Sequence, residues 1–211
     1  LDQMIECNTA IAQEGMHGDY GANIGKVIAI RKDLPSLLKA YAAAGSDARM
    51  NGCELPVVIN SGSGNQGLTV SVPLIIYAER EHLDKEKLYR ALVISNLTAI
   101  HLKTEIGRLS AFCGAVSAGA ACGAGLAYLK DASEEVMNHT IVNALAITSG
   151  IICDGAKASC AAKIAVSVEA GILGYDMYMN GQQFYGGDGI ISKGIENTIH
   201  NIGVLGSQGM A

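Results

Sequence analysis

From Leu109 to Leu129 the chain reads LSAFCGAVSAGAACGAGLAYL, 21 residues without a charge. A run of that length can cross a bilayer or fill the centre of a helical core, and composition decides between the two. The run is mostly Ala, Gly and Ser with only three leucines, so it would insert weakly into lipid. No basic cluster or aromatic belt flanks it. Small residues at close spacing instead let neighbouring backbones approach on every side. The run predicts a buried central helix, around which the rest of the chain must wrap.

The flanking segments suit that role. Asp2–Glu14 and Leu34–Ala44 carry apolar residues at helical spacing, the second opened by Asp33 as N-cap with Pro35 in the first turn. Leu68–Arg80 is apolar and long for a strand, with Pro73 a candidate kink. Asp84 is placed to cap Lys85–Lys103, where Leu88, Leu92, Leu97 and Ile100 roughly share one face. Ser133 opens a helix reaching Ile152, with Val136, His139, Thr140 and Asn143 along one stripe. A last helix, Ala158–Leu173, is expected to end at Gly171 and Gly174. Only Leu55–Ile59 reads as a strand. No linker, repeat or low-complexity segment divides the chain, so the expectation is an all-α or α-dominant fold in one domain, residues 1–211.

Composition closes off several functions. A chain that is 49% hydrophobic buries enough surface to offset its ordering entropy and is not a disordered tail. A net charge of −5, with no Lys/Arg run longer than two, argues against nucleic acid as a partner. Six cysteines could pair, but 211 residues build a core unaided and no signal-peptide pattern opens the chain. The expectation is a reduced, cytoplasmic setting. The chain opens on Leu1 with an apolar pattern already running, and so reads as the continuation of a longer protein. There are 26 glycines against three prolines, which points to close backbone approach more than to turns.

Three constellations could carry chemistry. Ser61-Gly62-Ser63-Gly64-Asn65-Gln66-Gly67 satisfies the dinucleotide glycine pattern after an apolar LPVVI, but no second strand ending in an acid follows, and no P-loop lysine does. What survives is a set of backbone N–H groups at a helix N-terminus, suited to an anion or carboxylate, against the plainer reading of a glycine-rich start to a helix. Cys153 and Cys160 stand seven apart across a turn, Cys160 in a helix first turn where the dipole favours its thiolate. That spacing fits neither zinc ribbons nor redox C-x-x-C sites. Asn180–Gly189 is a dense polar, aromatic and glycine loop of the kind that often holds function. His139 reads as a hydrogen-bonded core histidine, and His17 as a candidate polar contact at a site mouth.

Taken together, SGSGNQGLTVSVP, AFCGAVSAGAACGAGLAYL, HTIVNALAITSGIICDGAKASCAAKI and AGILGYDMYMNGQQFYGGDGI resemble the C-terminal half of the L-cysteine desulfidases, relatives of the iron–sulfur L-serine dehydratase α chain. The likeness runs over nearly the whole chain. It implies a [4Fe–4S] cluster held by three cysteines, here Cys113, Cys153 and Cys160, with Cys7, Cys53 and Cys122 structural. A cluster with one open iron is a Lewis acid that can help a β-substituent leave an amino acid. The implied reaction takes L-cysteine to pyruvate, ammonia and sulfide, or L-serine to pyruvate and ammonia, without pyridoxal phosphate.

On the same likeness the loop Ser61, Gly62, Ser63, Gly64, Asn65 and Gln66 holds the substrate carboxylate, and Asp154 and Lys157 tune the cluster. The seven-residue step from Cys153 to Cys160 leans towards the desulfidases. The family's proposed base is a cysteine near the N-terminus of the full protein, outside this chain, and Cys7 does not match its motif. The C-terminal cysteine of the serine dehydratases has no counterpart in Gly206–Ala211. The chain alone is thus expected to be inactive, its partners being a small amino acid, the other half of the protein and a possible second copy. The alternatives are a metal-free ligand-binding or assembly module and a dinucleotide oxidoreductase.

Overall fold

The computed structural model describes residues 1–107 and 110–210, which form nine α-helices, one π turn and no strand. In chain order these are α1 Asp2–His17, α2 Ile24–Ala29, α3 Leu34–Met50, α4 Gly64–Arg80, α5 Lys85–Ile106, α6 Gly114–Leu129, α7 Glu134–Thr148, α8 Cys160–Met179 and α9 Ile195–Val204. The π turn Leu205–Gly209 closes the chain. Leu109, where the charge-free run begins, lies outside the described residues. Three helices start on the expected caps: Asp33 accepts from the Ser36 N–H, Asp84 from Lys87 and Ser133 from Val136.

The central helix is α6. Helices α4, α5, α7 and α8 pack around it, and every residue from Ala115 to Ala127 is buried. Its small residues are what allow this. A Cβ added at Gly123 would lie 2.8 Å from the Gly171 Cα on α8, closer than side chains normally pack. The expected helix end at Gly171 and Gly174 is therefore wrong. Both sit inside α8, which runs on to Met179, and both serve close approach to neighbouring helices. Among the described residues no helix is long and apolar enough to cross a membrane.

Three other expectations are corrected. Leu55–Ile59 does not join a sheet. The buried Asn8 on α1 takes a ladder's place, its Nδ2 donating to the Val58 carbonyl at 3.2 Å while its Oδ1 accepts from the Val58 N–H at 2.8 Å. On α5 the inward face is Leu88, Ala91, Leu92, Ser95, Ala99, Leu102 and Ile106, whereas Leu97 and Ile100 point outward at 61% and 46% exposure. His139 is not a core histidine: half-buried, it stacks on Tyr178 with ring centroids 4.3 Å apart. Pro73 lies within α4, which continues past it to Arg80.

Candidate metal centre and substrate loop

Two backbone devices shape the site. The first is the turn before α4. Asn60 and Ser63 exchange backbone hydrogen bonds of 3.1 and 3.0 Å, closing a two-residue turn on Ser61 and Gly62. Both have positive φ, 49° and 80°, as a type I′ turn requires. Asn60 Nδ2 ties this turn to the Asn96 side chain on α5 at 2.9 Å. The Ser61 hydroxyl donates to Asn60 Oδ1, and Ser63 Oγ caps the Gln66 N–H. The two hydroxyls are thus engaged within the loop. The Gly64 and Asn65 amides, at the first positions of α4, are the ones without an intrahelical acceptor.

The second device is a short antiparallel bridge between Phe112 and Ile152. The Cys113 N–H donates to the Ile151 carbonyl at 3.1 Å and the Cys153 N–H to the Ala111 carbonyl at 2.6 Å, so the bridge brings the two cysteines of sequence-distant loops to diagonal positions across it. Cys113 is the N-cap of α6, 8% exposed. Cys153 is exposed. Cys160 is the first residue of α8, and its thiol faces the Gly155 carbonyl at 3.6 Å.

One cavity of about 330 Å³ is lined by all three cysteines together with Ser61, Gly62, Ser63, Asn65 and Gln66. Arg49, Lys103 and Lys163 share its wall. Burial pushes the Cys113 thiol up, the Ala115 N–H and Lys163 oppose this, and the neighbouring sulfurs of Cys153 and Cys160 add to it. Burial lowers Lys103, while the thiols at Cys153 and Cys113 pull it back. Asp154 bonds Lys163 and pairs with Lys157 at 3.3 Å, which together hold its carboxyl down at about 2.

The donor chemistry suits an iron–sulfur cluster. Thiolates are its usual ligands, and an anionic cluster–thiolate group is favoured by the cations around it. Among the described residues no three His, Cys, Asp or Glu side chains are gathered tightly enough to hold a metal ion, so the thiols are neighbours across a cavity and not a closed single-metal site. Arg49, Lys103 and Lys163 had no signal in the sequence, because each comes from a helix whose own pattern shows only an ordinary surface cation.

Other expected residues lie elsewhere. His17 bonds its own helix at the Gln13 carbonyl, and the loop Asn180–Gly189 contributes to a separate cavity of about 660 Å³ with Glu134, Glu135 and His139. Cys122 is fully buried in α6. All six cysteines are free.

The family model of the serine dehydratase alpha chain matches residues 1–211. The chain is 64% identical over 212 residues to a UPF0597 protein of Desulfitobacterium hafniense, covering 100% of this chain and 49% of that one. UPF0597 proteins of Lachnoclostridium phytofermentans and Finegoldia magna are 54% and 52% identical, each over 100% of this chain and 51% of their own length. The chain thus spans about half the length of these curated relatives. No solved structure matches it. With its full length matched, the chain belongs to the serine dehydratase alpha chain family.

Proposed function

We propose that this chain is the cluster-bearing and substrate-holding part of an iron–sulfur lyase that eliminates the β-substituent of a small amino acid. L-cysteine and water would give pyruvate, ammonia and hydrogen sulfide; L-serine would give pyruvate and ammonia. The observation that carries this reading is the convergence of Cys113, Cys153 and Cys160 with the Ser61–Gln66 loop on one cavity. Cys113, Cys153 and Cys160 would hold a [4Fe–4S] cluster. When bound, a cluster with one iron free of protein thiolate supplies a Lewis acid for departure of sulfide or hydroxide.

The chain's own groups do the rest of the positioning. The amides of Gly64 and Asn65 stand at the positive end of α4, where negative charge is favoured, and Asn65 but not Gly64 lines the cavity. The Asn60–Ser63 turn holds them rigidly, because its bonds to α5 and to its own hydroxyls leave the loop few alternatives. Lys163 supports the thiols from one side through its bonds to the Ile152 carbonyl and to Asp154. Buried Phe112 and Ile164 wall the cavity and limit water on the α6 and α8 side.

The test is an anaerobic assay of the full-length protein, following sulfide and pyruvate from L-cysteine beside pyruvate from L-serine. Release of sulfide and pyruvate together supports the desulfidase reading. Pyruvate from serine alone moves the substrate to serine. Product from neither amino acid overturns the proposal.

A further inference from the structure

Two side chains in this cavity are electrostatically incomplete, and their deficits are of opposite kinds. Arg49, in the last turn of α3, lays its guanidinium against the start of α4. A Cβ at Gly64 would lie 2.3 Å from its Nε and 2.8 Å from its Cζ, so the guanidinium occupies the space a side chain at that position would take. Nη1 donates to Asn65 Oδ1 at 3.3 Å and approaches Met50 Sδ at 3.9 Å. Among the described residues no carboxylate lies within ion-pairing distance of Arg49. A fixed cation thus stands beside the positive end of a helix dipole, an arrangement that is unfavourable until an anion sits between them.

Gln66 has the complementary deficit. It is 6% exposed, lines the same cavity, and its Oε1 is buried without a hydrogen-bond partner. An unmet buried acceptor is a rare and costly feature in a folded protein. A hydrogen-bond donor satisfies it, and an ammonium supplies three donors and no acceptor.

We infer that Arg49 and Gln66 form a clamp for a zwitterionic α-amino acid, the guanidinium taking the carboxylate and the Gln66 carbonyl oxygen the ammonium. The inference rests on the reading of the Ser61–Gln66 loop as the substrate loop and specifies what that loop recognises. A simple carboxylate would leave Gln66 unmet. A simple amine would leave Arg49 facing the helix end unneutralised. The two together select a ligand bearing both charges.

The experiment is isothermal titration of anaerobic full-length protein with L-serine, with ethanolamine, which lacks the carboxylate, and with β-hydroxypropanoate, which lacks the ammonium. L-cysteine, cysteamine and β-mercaptopropanoate form a parallel series. Wild type should prefer the zwitterion over either analogue by about 30-fold, the size of one lost charged hydrogen bond. Arg49→Ala should lose the preference over ethanolamine and keep that over β-hydroxypropanoate, with Arg49→Lys restoring part of it. Gln66→Leu should show the reverse pattern. Uniform weakening of every ligand in a variant that keeps the wild-type circular dichroism spectrum and Tm, or unchanged ratios in Arg49→Ala, overturns the clamp. Pyruvate and sulfide release measured on the same samples separates the two ideas. Selective binding without turnover leaves the clamp standing and refutes the lyase, whereas turnover with unaltered ratios refutes only the clamp.

Discussion

Replacing Gly119 by alanine in the full-length protein tests whether α6 is the tightly packed centre that holds the cysteines in place. A Cβ at Gly119 would lie 2.3 Å from the Ser167 carbonyl oxygen and 2.5 Å from its carbon, where ordinary contact begins at 3.4 Å. Both obstructing atoms are backbone of α8, so the two helices must part by roughly 1 Å instead of a side chain turning aside. Alanine is worth about 1 kcal/mol over glycine inside a helix. Overpacking a filled core costs about 1–3 kcal/mol, and a backbone obstacle places this site at the upper end. The net loss is then about 2 kcal/mol, a fall in Tm of about 2–4 °C for a full-length protein about twice the length of this chain. Thermal unfolding followed by far-ultraviolet circular dichroism, with urea denaturation beside it, reads the loss. Because α6 begins after Cys113 and α8 begins at Cys160, the variant should also bind less iron. A midpoint equal to or above that of wild type would refute the reasoning, since the helices would then accept a methyl group without cost.

Two further outcomes follow from single residues. Asn8→Ala leaves the Val58 N–H and carbonyl without their partner, while Ser71 Oγ keeps its bond to the Gly67 carbonyl, and should cost about 2–3 kcal/mol in urea unfolding. Hydrogen exchange should rise at residues 55–59, and unchanged protection there would contradict the anchoring role. The Asp154 carboxyl is lowered to about 2 by its bond to Lys163 and its pairing with Lys157, so its contribution is present above the usual carboxylate pKa of about 4 and is lost as pH falls through about 2. The difference in Tm between wild type and Asp154→Asn should be small at neutral pH, because the pair is exposed, and should close below about pH 4; a difference that widened on acidification would contradict the assignment.

Much of the helical frame was legible. Asp33, Asp84 and Ser133 cap where the chain says they should, since capping is a local interaction between neighbours in sequence. The charge-free run was legible as a buried helix because its small side chains can neither fill a membrane nor face water. Leu55–Ile59 misled because an apolar β-like run needs backbone partners, and those come from Asn8, some 50 residues away. Leu97 and Ile100 misled because, at 3.6 residues per turn, they lie well round α5 from Leu88 and Leu92, so the four apolar residues do not form one face and only the first two reach the core. Gly171 and Gly174 look like stop signals, yet inside α8 they are contact points with neighbouring helices, a role visible only once those helices are placed. Arg49 and the unmet acceptor of Gln66 belong to that same class. Their meaning comes from what is absent around them in space, which sequence spacing does not carry.

The central claim is that Cys113, Cys153 and Cys160 hold the cluster. Iron and acid-labile sulfide should be measured on full-length protein purified without oxygen, in two sets of variants. The account predicts about four irons per chain in wild type and in Cys7→Ser, Cys53→Ser and Cys122→Ala, and loss of the intact cluster in Cys113→Ser, Cys153→Ser and Cys160→Ser together. A full complement of iron and sulfide in that triple variant would contradict it.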